Sequence, residues 1–496
     1  MRAPSRRRLA AAMAAVAVLA SLAAAAGIPG RATYGARASA DEPYYLLSAL
    51  AFATDGALDI TDELAEERWR PFHESRLPQQ TEPLPDGRRV APHDPLLSVL
   101  LAPGMWWGTW LGGADLGATL AKAELALLAG VLAALLLWVA VRRLGVSLRV
   151  SAVAVALFGA SAPLAAYGHQ VYPELPLALC VVIAVAALTG PFQRGAAVGL
   201  LLAVVAMPWL AVKSVPVAAV LALLGLARLW RRGQRPAAAA LAVAFAAAGA
   251  AYLGVYRELY GGWTAYAAGD HFVNGEFTAV GTRVDVLGRS RRLVGLFVDR
   301  GFGIAAWQPA WLLAIPAGAA LTRRRPAHWL VLALPLLAGY LNATFVAYTM
   351  QGWWFPGRQL VMVLPLAVLI IAWWADQLGR RTLAVLATLG GLGVWSYVWL
   401  AGQVAAGRLT WIVDFFGTRD PWYRMWSPLL PNYLRVTDST WVLHAEWIVV
   451  LLALAWAGLR SMGKLSRPGF RRRPRRARLA VRPPAFLESD REDNAT

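Results

Sequence analysis

The sequence predicts an all-α protein that crosses a membrane many times. Of its 496 residues, 58% are hydrophobic and 16% are charged, and the mean hydropathy is +0.49. A chain this apolar needs lipid to cover its surface. The net charge of +19 lies mostly in short basic clusters between apolar runs, which is typical of membrane loops rather than of a nucleic-acid site. We therefore expect a polytopic integral membrane protein without a nucleic-acid partner.

Apolar runs near the length that a bilayer requires predict about twelve transmembrane helices. The first is rich in alanine and follows the basic residues 2–8. Residues 96–111 are also apolar, but Pro103 and Gly104 interrupt them, which favours an interfacial or re-entrant segment. The remaining spans are predicted near residues 116–141, 150–167, 175–190, 196–211, 214–229, 237–256, 303–321, 328–348, 357–375, 382–401 and 441–460.

The positions of the arginines predict the topology. With these spans the basic clusters fall on one side, as the positive-inside bias requires, so both termini are expected in the cytoplasm. Residues 28–95 and 402–440 then form the first and last extracytoplasmic loops of a transmembrane domain that covers 1–460. The first loop is predicted as coil and turns with one short surface helix, from Asp62 to Trp69. The basic tail, 461–496, is predicted to be cytoplasmic and disordered against anionic headgroups.

Two adjacent acids stand where the first span delivers the chain to the outer side. They open the segment Asp41-Glu42-Pro43-Tyr44-Tyr45. One carboxylate there can serve as a general base toward an acceptor hydroxyl, while the other fixes geometry or holds a cation. The alternative is that both acids only hydrate a loop. The predicted cytoplasmic loops are short and contain no glycine-rich phosphate loop, so an ATP-driven pump is not expected.

The order of several short motifs resembles the GT-C glycosyltransferases. Within that superfamily the chain is most similar to the protein O-mannosyltransferases and the lipid A aminoarabinose transferases. The motifs are Asp41 to Tyr45, the loop end His93 to Leu96, Tyr172-Pro173-Glu174, Pro208-Trp209-Leu210 with Lys213, and the late segment Trp353 to Arg358. The resemblance implies that a sugar passes from a polyprenyl-phosphate carrier to an acceptor on the outer face, with the acid of the first outer loop as the essential catalytic group.

Two motifs depart from the pattern of that branch. The loop end reads His93-Asp94 where aminoarabinose transferases tend to have lysine and proline, and the late segment reads Pro-Gly-Arg-Gln rather than Gly-Pro-Arg-Tyr. These departures leave the donor sugar open.

Two cations support the same interpretation on physical grounds. Lys213 and Arg358 stand at the outer ends of predicted spans, against the positive-inside bias. The phosphate of an outer-leaflet lipid would be a suitable partner for both, and the alternative is that they only snorkel at helix ends. A catalytic role for Asp41 requires it to lie within about one sugar's width of these cations.

Other polar residues are candidates for substrate binding. Glu174 begins a span, where the helix dipole alone could account for an acid. His169 is close to it and could donate to a substrate hydroxyl or be structural. His93 and Asp94 could orient the acceptor, join a cation site with Asp41 or end the loop, and Tyr44 belongs to the first motif. These ligands are too few to define a metal, so a divalent cation stays open.

The predicted function is that of a membrane glycosyltransferase in the cell membrane, with an extracytoplasmic active site. Asp41 would deprotonate an acceptor hydroxyl on a glycan, lipid or protein, Lys213 and Arg358 would hold the leaving lipid phosphate, and direct displacement would invert the anomeric centre. One alternative is a transporter or flippase of lipid-linked sugars, which predicts charges deep within the spans, where Lys122 and Glu124 are the main pair. A non-catalytic protein of envelope assembly is the other.

Overall fold

The computed structural model describes residues 4–270 and 285–461, and this part of the chain is built from helices and loops without a strand. The prediction of an all-α fold is therefore confirmed. Isolated β-bridges, such as those that join Ala36 to His73 and Asp59 to Val90, hold the first loop together. The predicted tail lies outside the described residues from position 462 onward.

The described α-helices follow one another closely and differ widely in length. They are α1 Arg6–Ala25, α2 Glu42–Asp55, α3 Thr61–Ala65, α4 Leu96–Gly112, α5 Ala114–Arg142, α6 Leu148–Gly159, α7 Glu174–Thr189, α8 Arg194–Leu210, α9 Val215–Arg231, α10 Arg235–Tyr260, α11 Val286–Ser290, α12 Arg292–Val298, α13 Ile304–Trp307, α14 Ala314–Arg324, α15 Trp329–Leu341, α16 Leu364–Leu378, α17 Arg380–Ala405, α18 Pro421–Trp426 and α19 Asp438–Ser461.

Seven helical segments of the described chain are long and apolar enough to cross a membrane. They contain α1, α5, α9, α10, α15, α17 and α19, and the shorter helices α6, α7, α8 and α16 are also apolar. The chain is thus a polytopic membrane protein, while the number of about twelve spans stays a prediction.

Two predicted spans are interrupted at prolines. α6 ends at Gly159, because Pro163 has no N–H to donate to the Gly159 carbonyl and its ring would clash with that carbonyl in a continued helix. The predicted span 303–321 is not one continuous helix, because Pro309 holds Gln308 in extended backbone, with φ −142° and ψ 90°. The chain continues through a 3₁₀ turn before α14 begins.

The first loop contains a helix where the sequence predicts coil. α2 begins directly after Asp41, with Glu42 and Pro43 in its first turn, and ends at Gly56, whose φ of 68° suits glycine. Residues 42–51 are all buried. A helix that is covered on every side shows no amphipathic period, so its sequence lacks the usual helical signal.

Helices α4 and α5 pack against each other through glycines. A Cβ built on Gly108 would lie 2.4 Å from the Cα of Gly117, and one built on Gly104 would lie 2.9 Å from the backbone nitrogen of Ala121. These contacts involve only the first half of α5. α4 therefore covers one end of α5 and positions α2, against which it also packs.

Replacing Gly108 by alanine should force the two backbones apart and destabilise the protein by about 1–3 kcal/mol. A thermal melt in detergent would show this as a lower Tm. Gly249→Ala in α10 is the matched control, because nothing lies within 4 Å of a Cβ there, and the better helix propensity of alanine predicts a slight gain. Equal melting temperatures for the two variants would contradict this packing.

Candidate active site

Four charged side chains from distant parts of the chain meet at one end of the helix bundle. Asp41 precedes α2, Glu174 is the first residue of α7, Lys213 lies in the turn before α9, and Arg358 lies in the loop before α16. Arg358 Nη2 is 2.8 Å from Asp41 Oδ2, and its Nε is 3.0 Å from Glu174 Oε1. Lys213 Nζ is 2.5 Å from the same Glu174 oxygen. The structure thus brings together the acid and both cations that the sequence singles out.

Arg358 lies at the centre of this cluster. Its guanidinium carbon is 4.0 Å from the ring centroid of Tyr172 and 4.9 Å from that of Trp354, so two aromatic faces hold it in place. Burial opposes its charge, but the carboxylates of Glu174 and Asp41 outweigh burial and raise the pKa of Arg358 well above its ordinary value. The site therefore contains a permanent cation in a fixed orientation.

Asp41 directs its carboxylate at Arg358 rather than at its own helix. Aspartate before a helix usually caps it, but Asp41 makes no side-chain cap bond to α2, a helix that is described in full. Burial alone would raise the pKa of Asp41, yet Arg358, followed by His93 and Lys213, lowers it below the ordinary value. Asp41 is thus ionised, and its contact with Arg358 weakens it as a base.

Glu174 joins the two cations. Its side chain is only 1% exposed, and one carboxylate oxygen accepts from both Lys213 and Arg358. Its second oxygen is buried and has no hydrogen-bond partner among the described residues. The amide of Asn342 donates to the carbonyl of Lys213 at 3.0 Å and so fixes the lysine backbone. The two cations are therefore held side by side by one carboxylate.

Glu42 bonds to the backbone instead of to the charged cluster. Its two carboxylate oxygens accept from the N–H groups of Ser39, at 3.0 Å, and Val171, at 2.8 Å. Val171 immediately precedes Tyr172, so this contact fixes the turn that carries Asp41 relative to the start of α7. Tyr44 has a similar role within the first loop, because its hydroxyl donates to Pro78 O and accepts from Gln80 N.

His93 and Asp94 lie beside the cluster. The ring of His93 stacks on Tyr45 at 4.6 Å and lies 3.2 Å, by its Nε2, from Gln80 Oε1. Asp94 accepts from Val212 N–H at 2.8 Å and from the Tyr256 hydroxyl at 2.6 Å, so it holds the residue next to Lys213. Burial raises the pKa of Asp94 to about 6.

His169 is buried in a different environment. Its ring packs 4.7 Å from that of Trp411, and Gly27 covers it so closely that a Cβ there would overlap the imidazole. Burial lowers the pKa of His169 to about 3, so the ring is neutral. The structure places His169 in the packing between α1 and the last loop.

The sequence interpretation missed several residues that shape the site. The ring of Tyr172 lies against Arg358. Tyr172 belongs to the Tyr-Pro-Glu segment, in which only Glu174 was a candidate, so the nearby Glu174 is the signal in the sequence that could have indicated it. Trp354 lies in the late segment and packs on Arg358, a role that the segment's sequence does not indicate. Tyr256 meets Asp94 across 162 residues of sequence, and no local pattern indicates such a contact. Among the residues that the structure describes, no group of three His, Cys, Asp or Glu is placed to hold a metal ion.

The fold is similar to that of a polytopic GT-C glycosyltransferase. The particular structure that it resembles is the crystal structure of ArnT from Cupriavidus metallidurans bound to undecaprenyl phosphate, a lipid A aminoarabinose transferase. The similarity covers 92% of this chain and 74% of that one, with a TM-score of 0.50 and 14% sequence identity. The resemblance seen in the motifs is thereby confirmed at the level of the fold. No protein-family model and no curated protein matches the chain.

The raised pKa of Asp94 predicts a pH dependence of stability. The folded chain binds a proton at Asp94 more readily than the unfolded chain, so this contribution is full below about pH 4 and is lost as pH rises through about 6. Asp94→Asn cannot titrate and should flatten the fall in Tm between these values. Asp55→Asn, an exposed acid at the end of α2, is the control and should keep the wild-type slope. A wild-type slope in Asp94→Asn would contradict the assignment.

Proposed function

We propose that the protein is a membrane glycosyltransferase that moves a monosaccharide from a polyprenyl-phosphate carrier to a hydroxyl group on the extracytoplasmic side. The observation that carries the proposal is the shared position of Arg358, which contacts Asp41 and Glu174 at once. The GT-C fold supports it, and so does the similarity to a structure with undecaprenyl phosphate bound. The site is proposed to face away from the cytoplasm, where lipid-linked rather than nucleotide-linked sugars are the donors.

The charges of the site explain how a donor would engage it. Asp41 and Glu174 balance Lys213 and Arg358, so the cluster is neutral as it stands. A sugar phosphodiester would bring one further negative charge into this buried site. Burying that charge is costly unless the phosphate replaces the carboxylates as the partner of the two cations. Arg358 suits this exchange, because its planar fork binds two phosphate oxygens as readily as a carboxylate. Lys213 adds a point charge beside it.

This exchange would also activate Asp41. Arg358 is the main group that lowers the pKa of Asp41, and burial acts in the opposite direction. When the phosphate engages Arg358, the pKa of Asp41 therefore rises, and the carboxylate becomes a stronger base. Donor binding would thus prepare the base for the acceptor.

The transfer step then balances. The acceptor oxygen forms a bond to the anomeric carbon from the face opposite the phosphate, and its proton passes to Asp41. The bond between the anomeric carbon and the phosphate oxygen breaks, and the lipid phosphate keeps the electron pair. Lys213 and Arg358 stabilise the charge that grows on this leaving group. The configuration of the sugar is inverted.

The remaining predicted residues take supporting places in this proposal. Glu42 is a positioning residue for Asp41, because it bonds the turn before α2 to the segment before α7. Asp94 positions Lys213 through the Val212 amide. His93 is the best placed to contact substrate, since it acts electrostatically on Asp41. Tyr44 supports the first loop beside the site, and His169 stays in the packing between α1 and the last loop.

Transport of the lipid-linked sugar gains little from the structure. The charged pair Lys122 and Glu124, expected deep in a span, lies in the half of α5 that packs against α4. Lys122 donates to the carbonyl of Arg37, and Glu124 lies against Gly104 of α4. Lys122 is therefore tied to the first loop, while one carboxylate oxygen of Glu124 is buried without a hydrogen-bond partner among the described residues.

Asp41→Asn should lower sugar transfer by about two to four orders of magnitude, because asparagine cannot accept the proton. Membranes that contain the protein would be given radiolabelled polyprenyl-phosphate sugars, and label in the acceptor fraction would be counted. Asp55→Asn, at the other end of α2, is the matched control and should keep wild-type transfer. Equal transfer by Asp41→Asn and wild type would exclude the catalytic role, and label that crosses the membrane while still on its lipid would favour a flippase.

Glu174→Gln should tighten the binding of undecaprenyl phosphate by about tenfold, because the carboxylate no longer competes for Lys213 and Arg358. Lys213→Gln should weaken the same binding. Equilibrium binding of labelled lipid to purified protein in detergent would measure both, with Glu258→Gln, an exposed acid of α10, as the control. Weaker binding by a folded Glu174→Gln variant would show that the phosphate does not replace this carboxylate.

A further inference from the structure

A cleft opens at the surface apart from the charged cluster. It lies between α11, α12 and the first turns of α19, and its volume is about 450 Å³. Its walls include Leu287, Arg291, Leu293, Trp441, His444 and Ile448. The glycosyl transfer proposed above makes no use of it.

The helices that form the cleft are linked to the candidate active site through the turn that follows α15. Arg292 donates to the carbonyls of Thr344 and Ala347, at 3.3 and 2.6 Å, and Arg289 donates to that of Phe345. These carbonyls belong to that turn. The same turn contains Asn342, whose amide bonds to the carbonyl of Lys213. Hydrogen bonds through this turn therefore connect α11 and α12 to the segment that carries Lys213.

Among the described residues that line the cleft, Arg291 carries the one permanent charge. Arg291 is exposed and makes no ion pair within the described part of the chain. Burial and then the like charges of Arg289 and Arg291 lower the pKa of Arg292, and Asp285 is the one acid that opposes them. Glu446 is two residues from His444, which places it about 200° around α19 and away from the cleft.

The rim of the cleft is apolar and open. Leu287 is 86% exposed, Trp441 46% and Leu293 40%. Trp441 stands in the first turn of a helix that is long and apolar enough to span a membrane, which is where an indole favours the membrane interface. His444 contributes a polar group at the floor, where its Nδ1 meets the hydroxyl of Tyr433.

We infer that this cleft binds the anionic phosphate headgroup of a membrane lipid, with Arg291 on the phosphate and the lipid chains against Leu287, Leu293 and Trp441. Arg291 has no acidic partner among the described residues and can bind a phosphate. The exposed apolar rim favours a lipid over a free anion, because lipid chains can cover it. The site is separate from the donor site, since Arg358 and Lys213 do not line it.

Native mass spectrometry of the delipidated full chain tests this inference. Phosphatidylglycerol, phosphatidylcholine and inorganic phosphate would be titrated separately. Arg291→Gln should weaken phosphatidylglycerol binding on the order of fivefold, as expected for one arginine at a lipid surface. Leu287→Asp should do the same through charge repulsion at a fully open position, where folding is not at risk. Arg408→Gln, an exposed arginine of the loop after α17, should bind like wild type.

Three results would overturn the inference. One is equal binding of phosphatidylglycerol by wild type, Arg291→Gln and Leu287→Asp. Another is equal affinity of the wild type for phosphatidylglycerol and phosphatidylcholine. The third is displacement of the lipid by millimolar inorganic phosphate, which would mean that the cleft holds a free anion. Sugar transfer that persists in Arg291→Gln while lipid binding falls would separate this site from the proposed catalytic one.

Discussion

The guanidinium of Arg358 lies between Asp41 and Glu174, and the other features of the site depend on this contact. It joins the first loop to α7 and to the loop before α16, and along the chain Arg358 is 184 residues from Glu174 and 317 from Asp41. Two aromatic rings hold the guanidinium in place. Lys213 contacts the carboxylate of Glu174 that Arg358 also contacts, so a movement of either cation affects the other. The site is therefore a single charged unit rather than a set of independent residues.

A neutral, mutually bonded cluster suits a site that must wait for an anionic substrate. Unpaired charges at a buried position are costly. Without the two carboxylates, Lys213 and Arg358 would therefore destabilise the turn and the loop in which they lie. The carboxylates remove this cost and orient both cations, and an arriving phosphate can take their place. Asp41 then changes its role, because the contact that keeps it ionised in the resting protein also makes it a poor base. In this account one exchange of partners both binds the donor and prepares the base.

The sequence was sufficient for the fold class and for the members of the charged cluster. Hydropathy and the sidedness of arginines follow from the bilayer itself, and Lys213 and Arg358 stood out because they break that rule. It was not sufficient for α2, whose residues are buried on every side and so lack a period. Nor could it pair Asp94 with Tyr256, since contacts across 162 residues depend on the tertiary fold. The pair of acids suggested that one of them fixes geometry, but the partner of Glu42 could not be predicted, because Val171 is 129 residues away.

A structure of the protein with a polyprenyl phosphate bound would show whether the phosphate replaces the carboxylates at the two cations. We expect phosphate oxygens within hydrogen-bond distance of Arg358 and Lys213, with the carboxylate of Asp41 released from the guanidinium and facing the space for an acceptor. A phosphate bound elsewhere, with the contact between Asp41 and Arg358 still in place, would exclude this exchange of partners.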